Sequence, residues 1–280
     1  MSQHIKVDGA SVAITGAARG IGLATAKLFA SRGARVAIGD LDEALAKAAA
    51  KEVGHGASGH ALDVADKASY AVFLEAAQGE HGVLDVLVNN AGIMPNGAFL
   101  ELDDRTDRLQ FDVNVFGVIN GMKLALPGML ERRRGHVVNV ASLAGKFPVR
   151  GLAVYNATKF AVVGLSAATR LELEGTGVTL TAVLPSAVDT PLASGLSMAP
   201  LPKVKPEAIA KAIVDSVRSP KAEVAVPSYV GRIAALSQVT PEPVLRQVRH
   251  ALRDDRALRG DTAARAAYQA ELERLAGAER

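Results

Sequence analysis

The chain has 280 residues, 49% hydrophobic and 22% charged, a balance that suits one globular domain with a sizeable core and argues against a second full domain. A net charge of +3 is too mild to predict a nucleic-acid partner. The absence of cysteine excludes disulfides and thiolate metal sites, and six scattered histidines, none paired at helical ligand spacing, predict no metal.

Residues 1–8 lack the basic start and apolar run of a secretory signal, and no apolar stretch reaches the ~18 residues of a spanning helix, so a cytoplasmic location is expected. Short runs rich in Val, Ile and Leu alternate with Ala-rich segments of helical length. Strands are expected at 11–15, 34–39, 59–62, 84–89, 136–141, 178–184 and 223–227, and helices at 21–31, 43–53, 67–80, 105–133 and 154–174. Most strands are nearly continuous apolar runs, as in a parallel sheet covered on both faces. The fold class is therefore doubly wound α/β.

The first strand runs into Thr15-Gly16-Ala17-Ala18-Arg19-Gly20-Ile21-Gly22 and then directly into a helix. Glycines at such a turn permit a tight bend, close approach of backbone to a diphosphate and close helix packing, while the helix N-terminus supplies N–H donors. The second strand ends at Asp40, where a carboxylate accepts from adenosine ribose hydroxyls and repels a 2′-phosphate. Leu41 follows it, so no arginine stands behind to hold that phosphate. NAD is expected over NADP, although the guanidinium of Arg19 could contact a phosphate. Farther on, Tyr155 and Lys159 stand four apart within a predicted helix, on one face, where the cation would lower the phenol's pKa and fit it for acid/base work.

With Gly16-x-x-x-Gly20-x-Gly22, Asn89-Asn90-Ala91-Gly92 and Tyr155-x-x-x-Lys159 in order, the chain resembles the short-chain dehydrogenase/reductases over about residues 8–230. The resemblance implies a Rossmann fold with a seven-stranded parallel sheet. By the same resemblance Tyr155 is the proton donor or acceptor, Lys159 lowers its pKa and holds the nicotinamide ribose, Ser142 binds the substrate oxygen and Asn114 holds a water of the proton relay. Asp63 and Val64 match the pair beside the adenine; Asp63 could also cap the next helix. Asn90, Ala91 and Gly92 match the segment that stabilises the sheet and passes the cofactor, and Val188 and Thr190 match contacts to the nicotinamide carboxamide. Ser186 stands where the family has glycine, which brings strain if that position requires a positive φ.

Segments 93–95, 147–149 and 191–202, expected beside the nicotinamide, are mostly apolar, and the last has the composition of a lid. A hydrophobic secondary alcohol or ketone is the expected substrate. Competing readings are an NADP(H)-dependent carbonyl reductase, a non-catalytic NAD(P)-sensing or scaffold protein, and an epimerase or dehydratase.

Residues 241–280 form a C-terminal helical extension to a catalytic domain spanning 1–240. Val244, Leu245, Val248 and Leu252 make an apolar stripe among Arg246, Arg249, Arg253, Arg256 and Arg259. Docking on its own domain or a subunit partner is favoured over contact of 244–259 with an acidic membrane surface. The stretch from Asp261 reads as a last helix that frays. The resemblance also implies a homodimer or homotetramer, built through helices bearing small residues such as Ala161, Gly164, Ala167 and Ala168.

Overall fold

The computed structural model describes residues 5–195, 203–237, 240–251 and 262–277. Seven strands, β1 (Ser11–Thr15), β2 (Arg35–Asp40), β3 (Ser58–Ala61), β4 (Val86–Asn89), β5 (Gly135–Val140), β6 (Val178–Pro185) and β7 (Glu223–Val226), form one sheet in the order β3-β2-β1-β4-β5-β6-β7. All pairs are parallel; for example Ala13 stands between Ala37 of β2 and Leu87 of β4. The chain winds outward in opposite directions from β1 and β4, which leaves a crevice at their C-terminal ends.

Alternating side chains of the central strands feed two cores. Val12, Ile14, Val36 and Ile38 pack with Phe29 of α1 (Gly20–Ser31), Ala46 of α2 (Glu43–Val53) and Ile209 and Ile213 further along. Ala13, Ala37, Leu87 and Val137 face the other side, against Phe73 of α3 (Lys67–His81) and the helices that follow. Asp42 and Asp66 cap α2 and α3 by accepting from Leu45 N at 3.1 Å and Ala68 N at 2.8 Å.

The long helix expected over 105–133 is α4 (Asp104–Phe111), a π turn (Asp112–Phe116) and α5 (Gly117–Glu131). By length and composition this segment could cross a membrane, contrary to the sequence expectation; here it lies on the sheet, against β4, β5 and α3. α6 (Ala153–Glu172) packs beside it. Beyond β6, α7 (Pro206–Arg218) lies against α1, and α8 (Ser228–Ser237) follows β7; neither was among the expected helices. α9 (Glu242–Ala251) and α10 (Thr262–Gly277) complete the described chain.

Buried polar groups tie these layers together. His136, on β5, lies 2.7 Å from Thr179 Oγ1 through Nδ1 and 3.2 Å from Ser216 Oγ through Nε2. Ser216 gives its own proton to the Ile213 carbonyl, so Nε2 carries hydrogen and donates, while the Thr179 hydroxyl donates to Nδ1. Burial pushes the imidazole pKa down to about 3. Above pH ~6.5 the ring is neutral in both folded and unfolded chains; below that, the unfolded chain takes up the proton first. Stability therefore falls as pH drops from about 6.5 towards 3, by up to roughly 5 kcal/mol from this group. Urea unfolding between pH 7 and 4 should show that slope, and His136→Gln should flatten it; an unchanged slope would assign the acid lability elsewhere.

Candidate active site

At the crevice the glycine turn and the β4 loop are built into each other. Gly16 has φ +60°, and a Cβ there would come within 2.7 Å of Ala91 Cα. At Gly22 a Cβ would meet the Gly16 carbonyl oxygen at 2.5 Å, so both positions require glycine for close approach. Asn90 completes the joint: its Nδ2 donates to the carbonyls of Thr15 and Gly16, each at 2.9 Å, and Thr15 Oγ1 accepts from the N–H groups of Asn90 and Ala91 at 3.0 Å.

The cleft has a volume of about 1070 Å³. Gly16, Arg19, Gly20 and Ile21 line one stretch of it, and α1, unlike α2 and α3, has no side chain capping its first turn. Asp40 lines it too, its Oδ2 accepting from Ala18 N at 3.1 Å, with Leu41 beside it. Asp63 and Val64 lie at the same end. Asp63 Oδ1 accepts from Ala65 N at 3.0 Å in a tight turn; the helix-capping role considered for it belongs to Asp66.

Val188, at the other end, pairs in a short bridge with Val204, and Thr190 lies over Gly20, 3.3 Å from where a Cβ would stand. Ser186 does not have a positive φ: among described residues only His55 and Arg133 do so without being glycine. The strain considered for this serine is therefore absent. Its hydroxyl oxygen is buried at the cleft wall without a protein partner.

Tyr155 and Lys159 share a face of α6, and Lys159 Nζ stands 5.7 Å from the phenol ring centre while donating to the Val140 carbonyl at 3.1 Å. Ser142, at the end of β5, hydrogen-bonds Tyr155 and also accepts from Ala144 N at 3.1 Å. The electrostatics correct one expectation. Burial pushes the phenol pKa up to about 12, and only the Ser142 hydrogen bond pulls it back. The same burial pushes the lysine down to about 8. Desolvation of both groups outweighs the pull of the ammonium, whose proton is shared with a carbonyl.

Asn114 sits in the π turn, a distortion that often marks functional positions. Its Oδ1 accepts from Ile93 N at 2.8 Å, and its Nδ2 donates to Ile93 O at 2.9 Å and to Thr158 Oγ1 at 3.1 Å. With both side-chain donors committed, any water here must be held by an oxygen of Asn114. A Cβ on Gly92 would stand 3.1 Å from Asn114 Oδ1 and 3.6 Å from Lys159 Nζ, so glycine keeps a gap open between the two.

These features fit a dinucleotide: free helix N–H groups for phosphates, a carboxylate for a ribose, and a buried hydroxyl awaiting a polar partner. The chain matches the short chain dehydrogenase family over residues 10–200. It belongs to that family. The oxidoreductase UcpA of Escherichia coli K12 is 34% identical over 233 residues, covering 82% of this chain and 88% of that protein. A probable oxidoreductase, EphD, of Mycobacterium tuberculosis H37Rv is 42% identical over 187 residues, 64% of this chain but 31% of EphD. The chain thus spans about a third of the length of that relative. The crystal structure of a short chain dehydrogenase/reductase from Burkholderia phymatum in complex with NAD superposes with a TM-score of 0.76 at 25% identity, covering 83% of this chain and 94% of the other. UcpA and EphD, both relatives of this short-chain dehydrogenase, are named as oxidoreductases.

Sequence reasoning missed the far wall of its cleft. Tyr268, Leu272 and Leu275 of α10 line it with Val230 and Ile233 of α8. The helix expected to fray instead buries Arg265 and Leu272. α10 is docked on the domain; of the 244–259 stripe, Val244 on α9 is 48% exposed and Leu245 half-buried, while the side chains of Val248 and Arg249, and Leu252, Arg253, Arg256 and Arg259, lie outside the described residues. So do 196–202 of the segment read as a lid. The 3-4-3 spacing of Arg265, Tyr268, Leu272 and Leu275 was the available signal.

Proposed function

We propose that this short-chain dehydrogenase interconverts an apolar secondary alcohol and its ketone with NAD(H), using Tyr155 as general acid and base. The observation that carries this reading is the cluster of buried Tyr155 and Lys159 with half-buried Ser142, which lines the cleft between a dinucleotide-fitting turn and an apolar wall. Gly16, Arg19, Gly20, Ile21 and Gly22 would hold the diphosphate, Asp40 and Leu41 the adenosine ribose, and Asp63 and Val64 the adenine. Asn90, Ala91 and Gly92 would flank the cofactor, while Val188 and Thr190 would hold its carboxamide.

Bound NAD+ would supply the hydride acceptor and a positive charge beside the phenol. Ser142 holds the substrate oxygen, and Tyr155 takes the hydroxyl proton during oxidation or returns it during reduction. A phenol with a pKa near 12 stays protonated at neutral pH and is ready to act as an acid; acting as a base requires additional positive charge nearby. Lys159, across the Gly92 gap from Asn114, would pass the proton on to a water held by an oxygen of Asn114 and from there to solvent. The apolar lining, from Met94, Phe147, Leu152 and Leu192, supports an apolar substrate. The exposed Phe111, Phe116, Phe160 and Leu171 support pairing of these helices in a homodimer or homotetramer.

A panel of secondary alcohols, followed by NADH formation, tests the reading. Turnover should rise with apolar size, and hydroxy acids should be poor substrates. Tight NAD binding without turnover of any panel member would favour the sensor.

A further inference from the structure

Arg265 is only 3% exposed, yet among the described residues no carboxylate perturbs it. Its Nη1 donates to the carbonyls of Leu192 at 3.1 Å and Ser194 at 3.0 Å, and its Nη2 donates to that of Met94. Tyr268, one turn on, accepts from Met94 N at 2.8 Å, and the guanidinium lies over its ring at 4.8 Å. One side of α10 thus binds the segment after β4 and the segment after β6, the two loops that flank the reacting end of the cleft.

A buried cation is costly where its donors go unmet; here the guanidinium fork reaches three backbone carbonyls through Nη1 and Nη2, while its buried Nε has no partner among the described residues, and an ammonium has no such planar reach. The same helix then presents Leu272, 4% exposed and packed with Ile93 and Leu109, to the cleft. We propose that Arg265 is a positioning residue that fixes α10 and both loops as one rigid wall, and that this wall selects substrates with an apolar body long enough to reach Leu272 and Leu275. The second half rests on the apolar-alcohol reading; the first does not.

The test uses the full chain with NAD bound, as wild type, Arg265→Ala and Arg265→Lys. Hydrogen exchange should rise in Arg265→Ala at the amides of Ile93, Met94, Asn96 and residues 192–195 and stay unchanged in the glycine turn. The KM for a long-chain or cyclic secondary alcohol should rise about tenfold or more, with NAD affinity unchanged and isopropanol turnover little affected. Arg265→Lys should recover only part of either effect. Unchanged exchange in those segments would overturn the clamp. Raised exchange with an unchanged KM split would overturn the selectivity and leave the clamp standing. If the native enzyme oxidises no alcohol, the functional reading fails while the exchange result still decides the clamp.

Discussion

Tyr155→Phe should lower kcat about a hundred- to ten-thousandfold while leaving NAD affinity and stability nearly unchanged. The phenol ring is buried, so phenylalanine keeps its packing and removes only the hydroxyl. Ser142, deprived of that partner, still accepts from Ala144 N, so no buried group is orphaned. Loss of kcat with an intact fold is therefore the signature of a hydroxyl proton that no neighbour can take in place of Tyr155. Lys159 is no substitute, because it lies beyond the phenol and donates to the Val140 carbonyl. The measurement is steady-state NADH formation with the best alcohol of the panel, alongside NAD titration and urea unfolding of both proteins. Turnover by the variant within a few-fold of the native enzyme would remove Tyr155 from the mechanism.

The second large effect concerns the cofactor. Asp40, fixed by Ala18 N at the edge of the cleft, sets a negative charge where a 2′-phosphate would arrive. Two unit charges about 4 Å apart near a protein surface repel by about 4 kcal/mol, close to a thousandfold in binding. Removing the carboxylate and supplying a cation, as Asp40→Ser with Leu41→Arg, should therefore shift the NADP-to-NAD ratio of kcat/KM by about a hundred- to a thousandfold. Leu41 is 47% exposed, so an arginine there needs no repacking. Measuring kcat/KM for both cofactors checks this, and a ratio unmoved by the double substitution would mean that Asp40 does not read the ribose.

Much of this was legible along the chain because parallel strands and the glycine turn are local patterns. Val86 to Asn89 and His136 to Val140 read as buried strands from their apolar runs, and both stand in the centre of the sheet. What escaped depends on contacts between distant segments. The π turn at Asn114 has no propensity signature, since the side chain that occupies it is fixed by Ile93 and Thr158. The pKa of Tyr155 follows from how much of the fold closes around it, which spacing to Lys159 does not encode. Arg265 looked like one arginine in an Ala-rich tail; its partners are 71 to 171 residues away. Ser186 shows the reverse error, a strain inferred from residue type that the backbone does not contain.

The central claim is that hydride leaves a carbinol carbon for NAD+ in the cleft while Tyr155 takes the hydroxyl proton. The most direct measurement incubates the protein with NAD+ and secondary alcohols deuterated at the carbinol carbon, and follows deuterium into the reduced cofactor by mass spectrometry. One deuterium per NADH formed, lost with Tyr155→Phe, is the predicted result; tight NAD binding with no deuterium transferred from any alcohol would contradict it.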